Sequence, residues 1–328
     1  MRIKAPAKIN LLLDVLGKRP DGYHEIFSVM QALELCDIVS AELADEKPGQ
    51  KGTVHLSCRG RTDEPSPFVL DVPADESNLG YIAARAAFER FAPAASGGVR
   101  IDIEKYIPIA AGLAGGSADA AAVLLALARL WYEKGLIRRL VPLSEIAKAG
   151  TRIGADVAFC VLACAAVNPW AGYADDPLAA PAALAEGIGE RVSGLRPGRK
   201  AHVLLVKPNL SVPTKEIYGL FDAGQSGAVQ GQKGTVHLSC RGRTDEPSPF
   251  VPFCEMRNSL EPVTSRAYPA VAGLLAEMRA FCVGGKVLMS GSGPTVFAYF
   301  FEEKAAAAAY EKAQSAFPDM YVFLTRTA

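Results

Sequence analysis

The sequence predicts an α+β fold divided into two domains, and three observations support this prediction. The chain has 328 residues, which is enough for two hydrophobic cores of medium size. Segments with strand character and segments with helix character do not alternate regularly, which disfavours a doubly wound parallel sheet. Residues 169–197 are rich in Ala, Pro and Gly, a composition typical of a passage between domains. We therefore predict one domain over residues 1–166 and a second over residues 167–328.

The first predicted domain begins with strands and continues with helices. Its first forty residues have strand character, interrupted by the turn sequence RPDG at residues 19–22. The strands predicted from apolar or alternating runs cover residues 8–16, 38–43, 53–58 and 99–103. The helices predicted from capping residues and apolar runs cover residues 78–91 and 117–131, and a third begins at Ser144.

The second predicted domain contains a small sheet with helices on one face. Its predicted strands cover residues 203–206, 287–289 and 321–324. Its predicted helices, at 271–281 and 304–316, are long enough to cover such a sheet.

Charge and composition argue against several classes of partner. Thirty-five basic residues balance thirty-five acidic residues, so bulk charge favours neither duplex DNA nor an anionic membrane. No signal peptide is recognisable, because Asp14 interrupts the first apolar run, and the run at 157–167 is too short to cross a bilayer. The seven cysteines are scattered, and the close pair Cys160 and Cys164 has no partners that would complete a zinc site. We expect a cytoplasmic protein with reduced thiols that binds neither nucleic acid nor a membrane.

Residues 49–69 and 231–251 carry the same sequence, GQKGTVHLSCRGRTDEPSPFV, so one copy derives from the other. Two distant copies do not make a solenoid. The first copy is predicted to be the second arm of a strand hairpin. The second is predicted to be a surface loop in the second domain, which costs little loop-closure entropy. A tolerated duplication is favoured over a repeated binding element.

The most informative motif is a loop of small residues at 108–119 (PIAAGLAGGSAD), which leads directly into a helix. Glycines allow backbone N–H groups to approach a ligand, and the free amides and the dipole of a helix N-terminus favour phosphate. The loop has neither the Walker pattern nor the dinucleotide-binding glycine pattern. From these residues alone, a tightly packed helix entry is an equally good interpretation.

Two further segments favour the phosphate interpretation. Residues 6–11 (PAKINL) place a lysine and an asparagine on an early strand, and residues 289–295 (MSGSGPT) form a second glycine turn. Together with the loop they resemble the three motifs of the GHMP kinases, the family of galactose, homoserine, mevalonate and phosphomevalonate kinases. The resemblance implies a two-domain GHMP kinase fold, with an N-terminal domain similar to part of a ribosomal protein and a ferredoxin-like C-terminal domain.

Other segments resemble one branch of that family, which phosphorylates 4-diphosphocytidyl-2-C-methyl-D-erythritol on its 2-hydroxyl in the non-mevalonate isoprenoid route. The segments that carry this resemblance lie at residues 18–26 (KRPDGYHEI), 78–79, 105–108, 154–157, 185–190 and 212–218 (VPTKEIY). The run DGYH at 21–24 separates this branch from the other GHMP kinases. The resemblance covers residues 2 to 324 and keeps the family's order of motifs.

The resemblance implies two catalytic residues. Asp156 would be the general base for the substrate hydroxyl, and Lys8 would stabilise the charge that develops around the transferred phosphoryl group. Seen alone, an aspartate after a turn is more often a capping residue, and a lone strand lysine is more often solvated. Lys8 lies in an apolar run, however, where burial without a partner would be costly.

The resemblance also implies a substrate site and an ATP site. Tyr23 and Tyr218 would sandwich the cytosine ring and His24 would read its edge, while Asn10 and Thr214 would help to bind the substrate. Such Tyr and His residues are otherwise common in plain loops. The residues implied for ATP are Asn78, Lys105, Pro108, Gly112, Leu113, Ala114, Gly115, Gly116, Ser117, Gly291 and Gly293. Mg²⁺ would be bound through the ATP phosphates, with no metal site of the protein's own.

Several positions depart from the family pattern. Alanine occupies positions 110, 111 and 114, where many relatives have glycine, and Ala118 replaces a frequent serine. Residues 167–181 have the character of an insertion, and Met30 stands where an aromatic residue is common. None of these changes removes a predicted catalytic residue. Another GHMP alcohol kinase remains the main alternative, followed by a nucleotide-binding regulator without turnover.

Overall fold

A computed structural model describes residues 1–44, 52–60, 72–91, 97–195, 198–225, 251 and 253–328. The strands are β1 (Arg2–Lys18), β2 (His24–Ala44), β3 (Val54–Gly60), β4 (Gly98–Lys105), β5 (Ala182–Gly187), β6 (Arg191–Leu195), β7 (His202–Lys207), β8 (Arg257–Asn258), β9 (Lys286–Met289), β10 (Val296–Phe300) and β11 (Tyr321–Arg326). The α-helices are α1 (Leu79–Arg90), α2 (Gly115–Glu133), α3 (Leu143–Gly150), α4 (Val157–Val167), α5 (Thr214–Gln225), α6 (Glu261–Ala267), α7 (Pro269–Phe281) and α8 (Glu303–Ala316). Most predicted strands and helices agree with these bounds to within two residues, but the strands predicted at 8–16 and 38–43 are parts of the much longer β1 and β2.

The first sheet is built on the long antiparallel pair β1 and β2, which the turn at residues 19–23 connects. Strand order along the sheet is β3-β4-β2-β1-β8, and β5 and β6 extend from β2. Helices α1 to α4 contribute to its core. Helix α2 is rich in Ala and Leu, which are strong helix formers, and is buried along most of its length.

The second sheet has the strand order β11-β7-β10-β9, with every neighbouring pair antiparallel. Helices α5 to α7 connect β7 to β9, and α8 connects β10 to β11. This order confirms the predicted α+β class and the ferredoxin-like second unit. One face of the sheet packs on the helices, while Leu205 and Phe297 on the other face share a core with Ile9 and Leu12 of β1. That shared core places β1 between the two sheets.

In the middle of the chain one prediction is wrong and one helix was not predicted. Residues 182–195 do not form a passage between domains, because β5 pairs with β2 and β6 pairs with β5 in the first sheet. Small alanine side chains, rather than a recognisable alternation, line the buried positions of β5. The apolar run at 157–167 forms α4. This helix has no distinct polar face, because other elements of the fold bury most of its side chains. The domain boundary between residues 166 and 167 stays a prediction.

The first copy of the duplicated sequence contributes β3. This strand runs parallel to β4, so the prediction of a hairpin arm was wrong. In the second copy only Val251 lies within the described residues, and it is buried in the core that the two sheets share. The rest of that copy lies outside them, so its prediction as a surface loop is untested.

Residues 167–181, predicted to be an insertion, lie at the end of α4 and connect it to β5. They contain a short 3₁₀ helix, Pro169–Ala171. The side chain of Asn168 accepts from the N–H of Lys4 at 2.9 Å and donates to its carbonyl at 2.8 Å. Within the part of the chain described, no helix combines the length and apolar character needed to span a membrane.

Candidate active site

A cleft of about 1240 Å³ lies where β1, the start of α2 and the start of α5 meet. It gathers most of the side chains that the sequence analysis had selected. The predicted site residues that line it are Lys8, Asn10, Tyr23, His24, Asn78, Lys105, Pro108, Gly112, Ala114, Gly115, Gly116, Ser117, Asp156, Thr214, Tyr218 and Gly291. Leu113 and Gly293 do not line the cleft, although each lies in a loop that does.

The predicted catalytic pair is close together in the cleft. The Lys8 Nζ atom lies 3.5 Å from Oδ2 of Asp156, although 148 positions separate the two residues in sequence. Lys8 is almost completely buried on β1, whereas the Asp156 side chain is 30% exposed at the start of α4. The positive end of the α4 dipole favours a negative charge at this position. A buried cation thus meets a carboxylate that solvent and a ligand can reach.

Asn10 holds Lys8 in this position. Its Oδ1 accepts from Lys8 Nζ at 2.8 Å, and its Nδ2 donates to Ser28 Oγ at 2.9 Å. The Ser28 hydroxyl in turn donates to the carbonyl of Leu12 at 2.7 Å. The side chain of Asn10 is therefore engaged in orienting the lysine, and its predicted contact with substrate remains untested. Ser28 was not predicted from the sequence.

The small-residue loop is held against the catalytic strand and opens into α2. Three of its residues, Ala110, Gly112 and Ala114, have φ values of 48°, 72° and 59° in the left-handed region. The Leu113 carbonyl accepts from the N–H of Lys8 at 3.0 Å, which ties the loop to β1. Helix α2 begins at Gly115, so its first N–H groups, which have no acceptor within the helix, border the cleft. Such a helix start suits a phosphate group.

The second glycine turn, residues 290–293, packs directly on this loop. Ser290 Oγ donates to the Gly112 carbonyl at 2.9 Å. A Cβ atom on Gly112 would lie 2.5 Å from the Ser290 carbonyl oxygen, so only glycine permits this contact. Asn258 fixes the turn, since its Nδ2 donates at 2.8 Å to the carbonyls of both Met289 and Gly291. The two glycine motifs of the sequence thus form one structure.

Lys105 forms a buried charge triad beneath the loop. Its Nζ pairs with Asp37 and, at 2.6 Å, with Oδ2 of Asp119 in the first turns of α2. Asp37 also accepts the N–H groups of Tyr106 and Ile107 at 2.6 and 2.8 Å. Burial alone would lower the pKa of Lys105, but the two carboxylates, Asp119 first, raise it overall. Burial raises the pKa of Asp119.

The triad anchors both ends of the loop. Asp37 holds the backbone just before Pro108, and Asp119 belongs to the helix that follows. The amine of Lys105 is engaged by these carboxylates, so its predicted role towards adenosine is untested. Asn78 likewise serves the backbone, because its Oδ1 caps α1 by accepting from Gly80 N at 2.8 Å. Both residues nevertheless line the cleft.

At the other end of the cleft, aromatic side chains gather near the β1–β2 turn. The rings of His24 and Tyr218 lie 4.7 Å apart at an angle of 31°, while Tyr23 is 62% exposed. Burial, followed by the charge of Asp156, raises the pKa of Tyr218 to about 12, so its hydroxyl is neutral at physiological pH. Thr214 Oγ1 lies 2.9 Å from Ser292 Oγ, which connects α5 to the second glycine turn. The predicted sandwich of a base between Tyr23 and Tyr218 is untested.

The residues that hold the site in place were not predicted from the sequence. Asp37, Asp119, Asn258 and Asp222 are separated from their partners by 14 to more than 190 positions. One signal was available, since Asp222 follows Tyr218 by four positions and therefore shares a face of α5.

Family models match both halves of the chain. The model described as GHMP kinases N terminal domain matches residues 78–164, and the model described as GHMP kinases C terminal matches residues 250–319. Within the described part of these ranges lie the small-residue loop, Asp156 and the second glycine turn.

Curated relatives match over the whole chain. A protein named 4-diphosphocytidyl-2-C-methyl-D-erythritol kinase from Clostridium botulinum (strain Eklund 17B / Type B) is 37% identical over 329 residues, and both chains are covered completely. A protein of the same name from Bacillus licheniformis is 40% identical over 303 residues, covering 90% of this chain and 88% of the relative.

Solved structures agree with these relatives. The crystal structure of a 4-(cytidine 5'-diphospho)-2C-methyl-D-erythritol kinase has a TM-score of 0.66 and 30% identity, with both chains covered completely. A homoserine kinase from Cytophaga hutchinsonii has a TM-score of 0.64, covering all of this chain and 94% of its own. At 19% identity, the latter supports the fold alone.

Proposed function

The chain belongs to the GHMP kinases, and on that premise we propose that it transfers the γ-phosphoryl group of ATP to the 2-hydroxyl of 4-diphosphocytidyl-2-C-methyl-D-erythritol. This reaction belongs to the non-mevalonate route to isoprenoid precursors. Relatives named for this substrate span the full chain, and the run DGYH at residues 21–24 is the part of the sequence most specific to it.

The observation that carries the proposal is the Lys8–Asp156 pair in the same cleft as the small-residue loop. The pair is 3.5 Å apart, and the first turn of α2 borders the same space. Phosphoryl transfer requires mainly positioning and electrostatic stabilisation, so a small set of fixed groups is sufficient.

In the proposed reaction, Asp156 accepts the proton of the attacking hydroxyl. Its exposed carboxylate is the group of the pair that a substrate can reach, because Lys8 lies deeper and is held by Asn10. Lys8 lies beside the forming oxygen–phosphorus bond, where a positive charge stabilises the transition state. The pair thus combines a general base with a fixed cation.

The start of α2 would hold the ATP phosphates. The N–H groups of Gly115, Gly116 and Ser117 occupy the first three helical positions and border the cleft. Mg²⁺, bound through the phosphates, would supply charge neutralisation there. Gly291 would close the site from the second sheet, since a Cβ at this position would lie 3.6 Å from Lys8 Nζ.

The cytosine ring would bind at the opposite end, against Tyr218 and near His24. Stacking of a base on an aromatic side chain is worth about 1–3 kcal/mol. We propose a cytoplasmic enzyme whose partner is this small substrate. A second function, phosphorylation of another alcohol by the same Lys8–Asp156 pair, would leave the aromatic cluster near His24 without a ligand.

A coupled ADP-release assay with Mg-ATP tests this proposal. The acceptors to compare are 4-diphosphocytidyl-2-C-methyl-D-erythritol, free methylerythritol 4-phosphate, homoserine and mevalonate. We expect turnover with the cytidylyl substrate alone. Turnover only with another alcohol would contradict the substrate assignment. Binding of ATP without any turnover would instead support the alternative that the chain is a nucleotide-binding regulator.

A further inference from the structure

A cluster of three charged or titratable side chains, Lys18, His24 and Asp222, adjoins the aromatic end of the cleft, and no predicted role explains Lys18 or Asp222. Asp222 on α5 lies between His24 and Lys18, with His24 Nε2 at 2.6 Å from its Oδ1 and Lys18 Nζ at 2.7 Å from its Oδ2. Residues 18 and 24 flank the β1–β2 turn, whereas residue 222 is almost two hundred positions away. All three line the cleft.

The cluster fixes the orientation of the imidazole. Asp222 and Tyr218 lie one helical turn apart on α5, so the helix presents a carboxylate to the edge of His24 and a ring to its face. Phe221 approaches the same imidazole edge-on, with ring centroids 6.4 Å apart. The His24 side chain is only 9% exposed. It is therefore held by its neighbours rather than free in the turn.

The cluster also fixes which imidazole nitrogen carries hydrogen. Hydrogen bonds from His24 and then Lys18 lower the pKa of Asp222, so this carboxylate is ionised at neutral pH. An ionised carboxylate can only accept hydrogen bonds, so Nε2 of His24 must be the donor. In the neutral imidazole, Nδ1 is then left as a hydrogen-bond acceptor.

We propose that Asp222 is a positioning residue that makes the cleft select cytosine over uracil. The proposal rests on the function given above. Cytosine carries a 4-amino group, which donates, whereas uracil carries a 4-oxygen, which accepts. An imidazole held as an acceptor pairs with the amino group and leaves the uracil oxygen without a partner. A site built for one hydrogen-bonding group rejects the analogue that lacks it, because its own polar group remains unpaired.

Binding and turnover, measured on the same variants, test the proposal. Calorimetry gives the dissociation constants of CDP and UDP for the wild type, Asp222→Ala, Asp222→Asn and Glu277→Gln. Glu277, an exposed carboxylate on α7, is the matched control. We expect the wild type to prefer CDP by about tenfold or more, and Asp222→Ala to lose most of that preference. Asp222→Asn should be intermediate, because an amide can either accept from or donate to Nε2.

Additional readouts separate this role from a structural one. The KM for ATP should be unchanged in Asp222→Ala, and NMR of the wild type with CDP bound should show hydrogen on Nε2 of His24 and none on Nδ1; hydrogen on Nδ1 would overturn the proposal. Equal weakening of CDP and UDP, an unchanged CDP preference in Asp222→Ala, or a wild type without preference would overturn the proposal. If Asp222→Ala does not fold, the Asn variant and the NMR tautomer decide. A CDP preference that depends on Asp222, without ADP release on the cytidylyl substrate, would sustain this inference and overturn the proposed function.

Discussion

The two ends of the cleft are built in different ways. At the phosphate end, defined by Gly112–Ser117 with Lys105 beneath, the ion pairs are buried, and Lys105 and Asp119 are each 3% exposed. At the base end, defined by Tyr23, His24, Tyr218 and Asp222, the charges are more accessible. Lys18 is 56% exposed and Asp222 is 28% exposed. Backbone groups dominate the first end, whereas side chains dominate the second.

This difference indicates that the two ends of the cleft have different functions. A loop that is hydrogen-bonded to β1 and lies over a buried triad suits phosphate, the part of the ligand that is common to every kinase of the family. Side chains on the β1–β2 turn and on α5 lie outside the buried charge triad and can vary without breaking its ion pairs, so they suit recognition of the acceptor. Substitutions at the phosphate end should therefore reduce stability, and those at the base end should reduce selectivity.

The largest effect is expected from Lys105→Met. Removal of the amine leaves two buried carboxylates without their cation, which costs about 3–5 kcal/mol in the free energy of unfolding. Denaturant titration measures this change. Lys18→Met, which breaks an exposed pair with Asp222, is the control and should cost at most about 1 kcal/mol. Equal losses of the free energy of unfolding in the two variants would contradict the claim that ion pairs stabilise the phosphate end more than the base end.

Gly112→Ala should also be strongly destabilising. Its φ of +72° is unfavourable for alanine, and the added Cβ would meet the Ser290 carbonyl at 2.5 Å, which together cost about 2–5 kcal/mol. Gly135 offers a matched control, because its φ is +68° but its Cβ would meet nothing within 4 Å. Gly135→Ala should cost only about 1–2 kcal/mol in thermal or denaturant unfolding. If both variants lose the same free energy of unfolding, the contact between Gly112 and Ser290 does not contribute to stability.

Tyr218→Ala tests the base end. Loss of the stacking surface should raise the KM for the cytidylyl substrate about 5- to 150-fold, the equivalent of about 1–3 kcal/mol. The KM for ATP should stay within about a factor of two of the wild-type value, because Tyr218 lies at the base end of the cleft and not at the phosphate end. Steady-state kinetics with each substrate varied in turn provides the measurement. A parallel rise in both constants would mean that the two ends are not independent.

The smallest effect is expected from Ala114→Gly. Ala114 adopts a φ of 59°, a left-handed conformation that costs alanine about 1–2 kcal/mol. Glycine relieves this strain but has more freedom in the unfolded chain, so the net gain in stability should be about 1 kcal/mol or less. A decrease in the midpoint of unfolding would show that the Ala114 methyl group makes a stabilising contact.

The sequence was sufficient to locate the segments that line the cleft, where these segments are local motifs. Lys8, the glycine loops and the DGYH turn lie in short segments whose resemblance to a family can be read directly, and Lys8 lay in a visibly apolar run. The fold was also accessible, because alternation and capping residues marked most elements. Strand β5 was not predicted because alanines line its buried positions. Helix α4 was not predicted because its side chains are apolar on all sides, so no amphipathic pattern marks it. Asp37 and Asp222 were not predicted because their partners are distant in sequence, and only the fold brings them together.

The most direct test of the account is the turnover of Asp156→Asn. Asparagine keeps the shape of the side chain but cannot accept the hydroxyl proton, so kcat should fall by about 10²- to 10⁴-fold. The melting temperature and the affinity for ATP should remain those of the wild type, and the exposed Asp319→Asn provides a control for the amide substitution. Turnover of Asp156→Asn near the wild-type rate would contradict the assignment of Asp156 as the general base, and with it the proposed role of the Lys8–Asp156 pair.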